Sequence, residues 1–385
     1  MTDRTFANRT AIVGMATSDF RRLYREPDPE RTAVGMAVDA VADAIADAGL
    51  TRADIDGFVY SSAANPPFSY QPAAFRLGFN DVRYMQMFTD GGRAFPAMLG
   101  HAAMAIMHGM ARTIVLVHSI AFRTQGTRFG VQSRGGDLYD AAYGLASPGA
   151  HYAMSWSHYR ARYGGRDEDM AAIPIAFRRH ANLNPVAIMR DRPLDLGTYL
   201  AAPYLAKPFR LYDYCLVNDG AVAFVLTSAE HARDLPQPPV LVTSVAQQAA
   251  LREQYTNEDF CFEALGRMKR DLFDDVGLGI GDVDTIQMYD NFPPPVVWGL
   301  EGLGLAPRGE GLQWIQDGRI ELGGEMPMNT SGGMLSEAYL QSFNQHAEIV
   351  RQLRGQAGPR QVPDCRHALY YGLSTTPGAS LFTRG

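Results

Sequence analysis

The sequence predicts an α/β fold in which one strand–helix unit is written twice. Three observations carry that prediction. Apolar, β-branched segments alternate with segments of helical period. A short pattern, Gly-Leu, three residues, Asp, Ile or Val, Asp and then a strand, occurs at residues 49–56 and again at 277–284. Between the two copies lies a long stretch of different character, rich in Arg, Tyr, His and Pro.

The elements follow in order. TAIVGMA, near the start, reads as a buried strand stopped by glycine and small residues. A helix over 33–50 comes next, with Val34, Met36, Val38, Val41, Ile45 and Leu50 approximating one face and Asp39, Asp43 and Asp47 mostly on another. Thr51 can cap the following turn with Asp54 at the third position after it, and GFVYSS is the next strand. DGGRAFP is then a Gly-rich turn, AMLGHAAMAIMHGM (97–110) an apolar helix and RTIVLVHS a strand. Residues 120–212 read as a large insertion with helices in SPGAHYAMSWSHYRARYG and EDMAAIPIAFRRHANLNP, placed where insertions shape ligand sites. LVNDGAVAFVLTS (216–228) returns to a strand, entered by an Asp219-Gly220 turn. The second copy repeats the order: PVLVTSVAQ as a strand, a helix ending at Gly277-Leu278, the strand TIQMY, the turn NTSGGM, a helix around 335–354, and the strands in HALYYGLS and ASLFTR. Alternation of this kind implies parallel sheets covered by helices. The expected halves are 1–235, including the 120–212 loop domain, and 236–385, packed as a pseudo-twofold pair.

Composition narrows the function. With 46% apolar and 20% charged residues the chain of 385 residues is an ordinary globular protein, and a formal charge of −6 offers no basic field for nucleic acid. No apolar run approaches the ~18 residues of a membrane span, and MTDRTFANRTAIVG has no signal core, so a cytoplasmic location is expected. Cys215, Cys261 and Cys365 are far apart and lack CxxC spacing, which favours neither disulfides nor a metal site. None sits in the cationic or helix-start setting that activates a thiol. His101 and His108, seven apart, read as packing histidines without a third metal ligand. His151 and His158, with the arginines of the insertion, line an anionic ligand or a solvated surface.

The remaining chemistry is tyrosyl. Tyr289 closes the strand TIQMY, where α/β sheets present ligand-contacting residues, and is followed by Asp290, Asn291 and Phe292. Fifty residues later Tyr339 follows the turn in NTSGGMLSEAYLQSF, whose Gly332-Gly333 pair marks a close backbone approach. A phenol can serve as general acid or base, and lining or core tyrosines fit the same pattern.

NLNPVAIMR, LAKPFRLYDYCLVNDGAVAFVLTS, YDNF and NTSGGMLSE together resemble the thiolase superfamily, in the sterol-carrier-protein-type thiolase branch often labelled lipid-transfer proteins. The resemblance covers nearly the whole chain. It implies the five-layered αβαβα thiolase fold, duplicated and with a loop-domain insertion, a homodimer, and a CoA thioester as ligand.

The departures from that family carry the functional expectation. Its nucleophilic cysteine falls at Gly92 or Arg93 and its second cysteine at about Gly372. Tyr339 takes the place of its histidine after the Gly-Gly turn, and Tyr289 that of the Asn or His before the D-x-F element. Claisen chemistry through an acyl-cysteine is thereby removed. Tyrosines at these two positions resemble the thiolase-like aldolases of steroid side-chain degradation. That implies retro-aldol cleavage of a 3-hydroxyacyl-CoA to propionyl- or acetyl-CoA and a ketone or aldehyde. It also implies a small zinc-ribbon and OB-fold partner, forming a heterotetramer. Tyr289 and Tyr339 are then general base and acid in unassigned order, with Asp290, Asn291, Gly332, Gly333 and Glu337 as orienting or oxyanion residues. No metal and no cofactor beyond the CoA of the substrate is expected. The alternatives are a non-catalytic acyl-CoA-binding subunit and an acyltransferase whose thiol comes from another subunit.

Overall fold

The computed structural model describes residues 7–62, 70–79, 81–88, 95–127, 142–145, 147–249, 258–373 and 377–385. Its strands are β1 (Thr10–Thr17), β2 (Gly57–Ser62), β3 (Tyr84–Phe88), β4 (Thr113–Ala121), β5 (Tyr204–Ala206), β6 (Phe209–Arg210), β7 (Asp219–Ser228), β8 (Val240–Gln247), β9 (Thr285–Met288), β10 (His367–Gly372) and β11 (Gly378–Arg384). Nine of them are hydrogen-bonded in the order β3-β2-β4-β7-β1-β8-β11-β10-β9. The order runs outward from the middle as two matching series, β1-β7-β4-β2 and β8-β11-β10-β9. Strand directions match as well: antiparallel, antiparallel, parallel in each series. The series meet at β1 and β8 through only two residue pairs, Ala11 with Leu241 and Ile12 with Val240.

The sheets are therefore mixed, where alternation alone implied parallel ones. The reason lies in the connections. A parallel neighbour needs a crossover of a dozen or more residues, whereas β10 and β11 are joined between Gly372 and Gly378 and pair as a hairpin. β7 likewise arrives from the insertion and runs against both β1 and β4.

Helices complete the layering. Ala33–Asp47 packs outside β1, β4 and β7, while Phe262–Phe273 covers β8 and β11 and Pro294–Leu303 covers β9 and β10. Phe95–Met107 and Phe343–Leu353 each touch strands of both series, β1 and β7 on one side and β11 with β8 or β10 on the other. Two sheets thus enclose a shared helical layer and carry helices outside, which is the αβαβα arrangement expected. The apolar helix begins at Phe95 and ends at Met107, and its histidines are not packed as expected. Phe95, Met98, Leu99, Ala102, Ala103 and Ile106 form its buried face. His101 lies on the other side, exposed against the Phe88 ring, and His108 is exposed beyond the helix end. In the insertion, His158 lies against Phe260 and His151 Nε2 is 3.2 Å from the Leu145 carbonyl.

The repeated Asp motif has a physical purpose in both copies. The Asp54 carboxylate accepts the Thr51 amide and hydroxyl at 2.8 and 2.7 Å, and Asp282 accepts the Gly279 amide at 2.8 Å. Two residues on, Asp56 accepts the amides of Arg112 and Thr113 at the start of β4. Asp284 does the same for Arg366 and His367 at the start of β10. Each second aspartate pins one strand to the start of its parallel neighbour. Asp56→Ala and Asp284→Ala should each cost about 1–3 kcal/mol, because two amides lose a charged acceptor, read as a lower urea midpoint.

The central layer also holds two buried histidines that sequence patterns did not single out. His346 Nδ1 is 2.7 Å from the Ser342 carbonyl, which can only accept, so Nδ1 carries the proton and Nε2 accepts from the Ser380 hydroxyl at 2.8 Å. Its ring lies 3.9 Å from that of Phe95, and His118 stacks on Phe343. Burial pushes His346 down to about 3 and His118 to about 4, from an ordinary value of 6.5. Below about pH 6.5 the unfolded chain takes up protons that the folded chain refuses, so these groups drain stability as pH falls toward 3. Replacing His346 with Gln should flatten that acid limb, measured as the change in urea midpoint between about pH 7 and 4.5.

Candidate active site

Alternation along β9 turns Ile286 and Met288 toward the outer helices and Tyr289 toward the central layer, where it belongs to the same buried cluster as Phe95, Phe122, Tyr339 and Phe343. Tyr289 follows the last residue of β9, its amide 3.4 Å from the Tyr371 carbonyl on β10. Tyr339 reaches the same place by another route. The helix expected from 335 is a single turn, Gly333–Ser336; the chain then runs irregularly to Ser342 before Phe343–Leu353 begins. Within that irregular run the Tyr339 amide donates to Asn218 Oδ1 at 2.7 Å and its ring stacks on Phe122. The two phenol oxygens stand 3.4 Å apart, and the Gln341 amide nitrogen is 3.5 Å from that of Tyr339.

The turn before Tyr339 is shaped by Asp290. This wholly buried carboxylate accepts the amides of Met334 at 2.9 Å and Leu335 at 3.2 Å, and the Gln345 side chain at 2.8 Å. Gly333 has φ +59°, and a Cβ there would lie 2.2 Å from Asp290 Oδ2. Gly332 has φ +108°, and its Cβ would lie 2.6 Å from that of Ala181. The close approach marked by the glycine pair is thus to Asp290 and to the helix Ala172–Leu183. The Gly332 amide is committed to the Asn329 carbonyl at 2.8 Å and that of Gly333 to Ser331 Oγ at 3.4 Å. Burial raises the Asp290 carboxyl to about 7 even against the amides that favour its charge.

Asn329 and Gln345 complete the fastening. Asn329 takes the Met288 amide at 2.6 Å and returns its own side-chain N–H to the Met288 carbonyl at 3.0 Å. Gln345 donates to that carbonyl as well, at 2.6 Å. Glu337, also fully buried, accepts from Asn184, Ser331 and Asn344 and so ties the insertion to the turn, its carboxyl raised by burial. Asn291 is engaged at the backbone level: its side chain accepts the Phe292 amide and its carbonyl that of Cys215.

Of the vacated positions, Gly372 is buried at the end of β10, where a Cβ would lie 2.5 Å from Tyr370 Oη. Gly92 and Arg93 lie outside the described residues. Burial pushes the thiols of Cys215 and Cys365 up to about 12, and Cys261 is buried just ahead of the helix Phe262–Phe273. Asn218, Gln341 and Gln345 escaped sequence reasoning. Asn218 stood in the segment 216–228 read as a strand, just before its Asp219-Gly220 entry turn, while the two glutamines resemble ordinary surface residues of a polar helix. Gly333→Ala should destabilise the protein by at least ~2 kcal/mol, since it combines a left-handed backbone with a contact against a fixed carboxylate. A fall in melting temperature checks this.

A Thiolase C-terminal domain-like family profile matches residues 246–381. The chain is 36% identical to a 17-hydroxy-3-oxo-4-pregnene-20-carboxyl-CoA lyase of Mycobacterium tuberculosis, over 97% of this chain and 99% of that one. It is 33% identical to a steroid side-chain-cleaving aldolase of Thermomonospora curvata, over 90% of each. A solved structure of an Ltp2-ChsH2(DUF35) aldolase superimposes with a TM-score of 0.88 at 31% identity, covering 98% of both chains. Two matching sheets around one helical layer, with such neighbours, define the class as a thiolase-fold protein. Within that class the chain belongs to the thiolase superfamily, on the branch of the steroid side-chain-cleaving aldolases.

Proposed function

We propose that the protein is a carbon–carbon lyase that cleaves a 3-hydroxyacyl-CoA by a retro-aldol reaction, with a steroid carrying the hydroxyl. The observation that carries the reading is the pair of phenol oxygens at 3.4 Å in a chain whose relatives are named for that cleavage. One phenol, as its phenolate, takes the proton of the 3-hydroxyl. The carbonyl then forms, the Cα–Cβ bond breaks, and its electron pair becomes the thioester enolate. The second phenol protonates the enolate carbon. After one turnover the proton has moved from one tyrosine to the other, and it returns once the phenols close to hydrogen-bonding distance or through one water. No step requires a thiol, in keeping with the absence of cysteine from Gly372 and the inert setting of Cys215 and Cys365. An α-carbon bearing a methyl group leaves as propionyl-CoA; an unbranched one leaves as acetyl-CoA. Asp290 and Glu337 support the tyrosines through the turn, and CoA enters only as part of the substrate.

Two assembly partners belong to the proposal. One is a second copy of the chain: among the described residues β3 pairs on one side only, with β2, and Met87 on it is 38% exposed. The other is a small protein of zinc-ribbon and OB fold, giving a heterotetramer; a ChsH2(DUF35) component is named in the similar aldolase structure. Residues 1–235 and 236–385 are taken as the two thiolase halves. Among the described residues no helix is long and apolar enough to cross a membrane, and a cytoplasmic site of action is proposed.

The test is incubation with 17-hydroxy-3-oxo-4-pregnene-20-carboxyl-CoA, with and without a DUF35 partner, following release of propionyl-CoA and the 17-ketone. Tyr289→Phe and Tyr339→Phe should each lower kcat by about 10²–10⁴ while leaving thioester binding intact. Full turnover in the double variant would remove the tyrosines from the mechanism. Binding without turnover under every condition would instead identify an acyl-CoA-binding subunit.

A further inference from the structure

Gln341 sits two residues past Tyr339, half-buried, with its Nε2 3.5 Å from the Tyr339 phenol oxygen. Its backbone is left-handed at φ 52°, and Ser342 after it is left-handed too at φ 84°. Consecutive non-glycine residues in that region hold strain, which persists where the surrounding structure enforces it and gathers at ligand sites. The strained step breaks the chain out of the turn and brings the Gln341 side chain back to the phenol. The other end of its amide, Oε1, is buried and has no hydrogen-bond partner among the described residues. Exchanging the two ends of the amide changes which atom meets Tyr339 but still leaves one unmet. Gln287 and Gln345 also carry an unmet Oε1, but both are fully buried and donate to protein atoms other than the phenol oxygens.

We propose that Gln341 is a substrate-binding residue whose unmet amide atom takes the 3-hydroxyl of the acyl-CoA, beside the tyrosines that move that hydroxyl's proton. The hydroxyl's single proton goes to a phenolate, so the amide meets the hydroxyl oxygen with its N–H while its Oε1 accepts from the Tyr339 O–H. The choice of hydroxyl rests on the retro-aldol reading above. A site that commits a buried amide to a hydroxyl rejects the ligand that lacks it, because the amide is then left unpaired.

The test compares two thioesters by calorimetric titration of the full chain carrying Tyr289→Phe to suppress cleavage, with its partner present. They are 17-hydroxy-3-oxo-4-pregnene-20-carboxyl-CoA and the same compound without the 17-hydroxyl. The parent should bind the hydroxylated form at least ~10-fold more tightly. Adding Gln341→Leu or Gln341→Gly should bring the two within about twofold. Glycine suits a left-handed backbone, so Gln341→Gly should melt at or above the parent temperature and keep the comparison valid. A preference that survives in Gln341→Gly, or that is missing from the parent, overturns the proposal. Failure of the aldolase reading has a different signature: the unmodified protein with its partner releases no short acyl-CoA, whatever the binding ratio.

Discussion

One buried carboxylate holds the site together. Asp290 stands next to Tyr289 in sequence and receives the amides of Met334 and Leu335, which lead within five residues to Tyr339. The distance between two phenols that are fifty residues apart in the chain is therefore set by a hydrogen-bonded span of a few atoms. Asn329 and Gln345 grip the Met288 peptide on the other side of Tyr289, so the strand end cannot shift without breaking several buried hydrogen bonds. The glycines at 332 and 333 follow from this arrangement: the carboxylate and the neighbouring helix leave no room for a side chain. Burying that charge is costly, and burial accordingly raises the carboxyl above its ordinary range. Its three donors offset the expense by fixing a single geometry.

The same economy extends along the helix Phe343–Leu353. Asn344, Gln345, His346, Glu348 and Gln352 are all inaccessible to solvent there, and each has a partner that belongs to another segment. Glu348 accepts from Thr330 and from both ends of the Arg360 guanidinium. Gln352 reaches Thr330 and the Arg360 carbonyl. Arg351, 3.8 Å from both Glu337 and Glu348, balances two buried carboxylates. Removing any one member leaves others unpaired in a dry interior, so the polar layer acts as a unit beneath the turn.

Much of the architecture was legible in the residues. The repeated Gly-Leu…Asp-[Ile/Val]-Asp segment marked the duplication, because each aspartate has an amide to hold in a fixed place relative to the strand. Tyr289 and Tyr339 were legible as a pair once the family pattern showed which seats they occupy. What escaped was of two kinds. Strand direction at β7 and β11 depends on connection length and on where the insertion returns the chain, and neither leaves a periodic signal. The polar residues of Phe343–Leu353 look like a solvated face, since the sequence shows hydrophilicity but not the buried partners that satisfy it. His101 and His108 failed in the opposite sense: seven-residue spacing places two side chains on one side of a helix without saying whether that side meets the core.

The helical layer between the sheets makes the two halves depend on each other. Phe95–Met107 covers strands of both series, and Phe343–Leu353 does so from the other half. A single unit of strands and helices, standing alone, would leave its inner helix with one apolar flank in water. Each unit covers that flank with the sheet of the other. The two units face each other across a shared interior and are joined edge to edge by only two residue pairs. Neither half can be cut away without exposing the apolar flank of the other's inner helix. One half received the long insertion, while the other supplies the turn and the phenols.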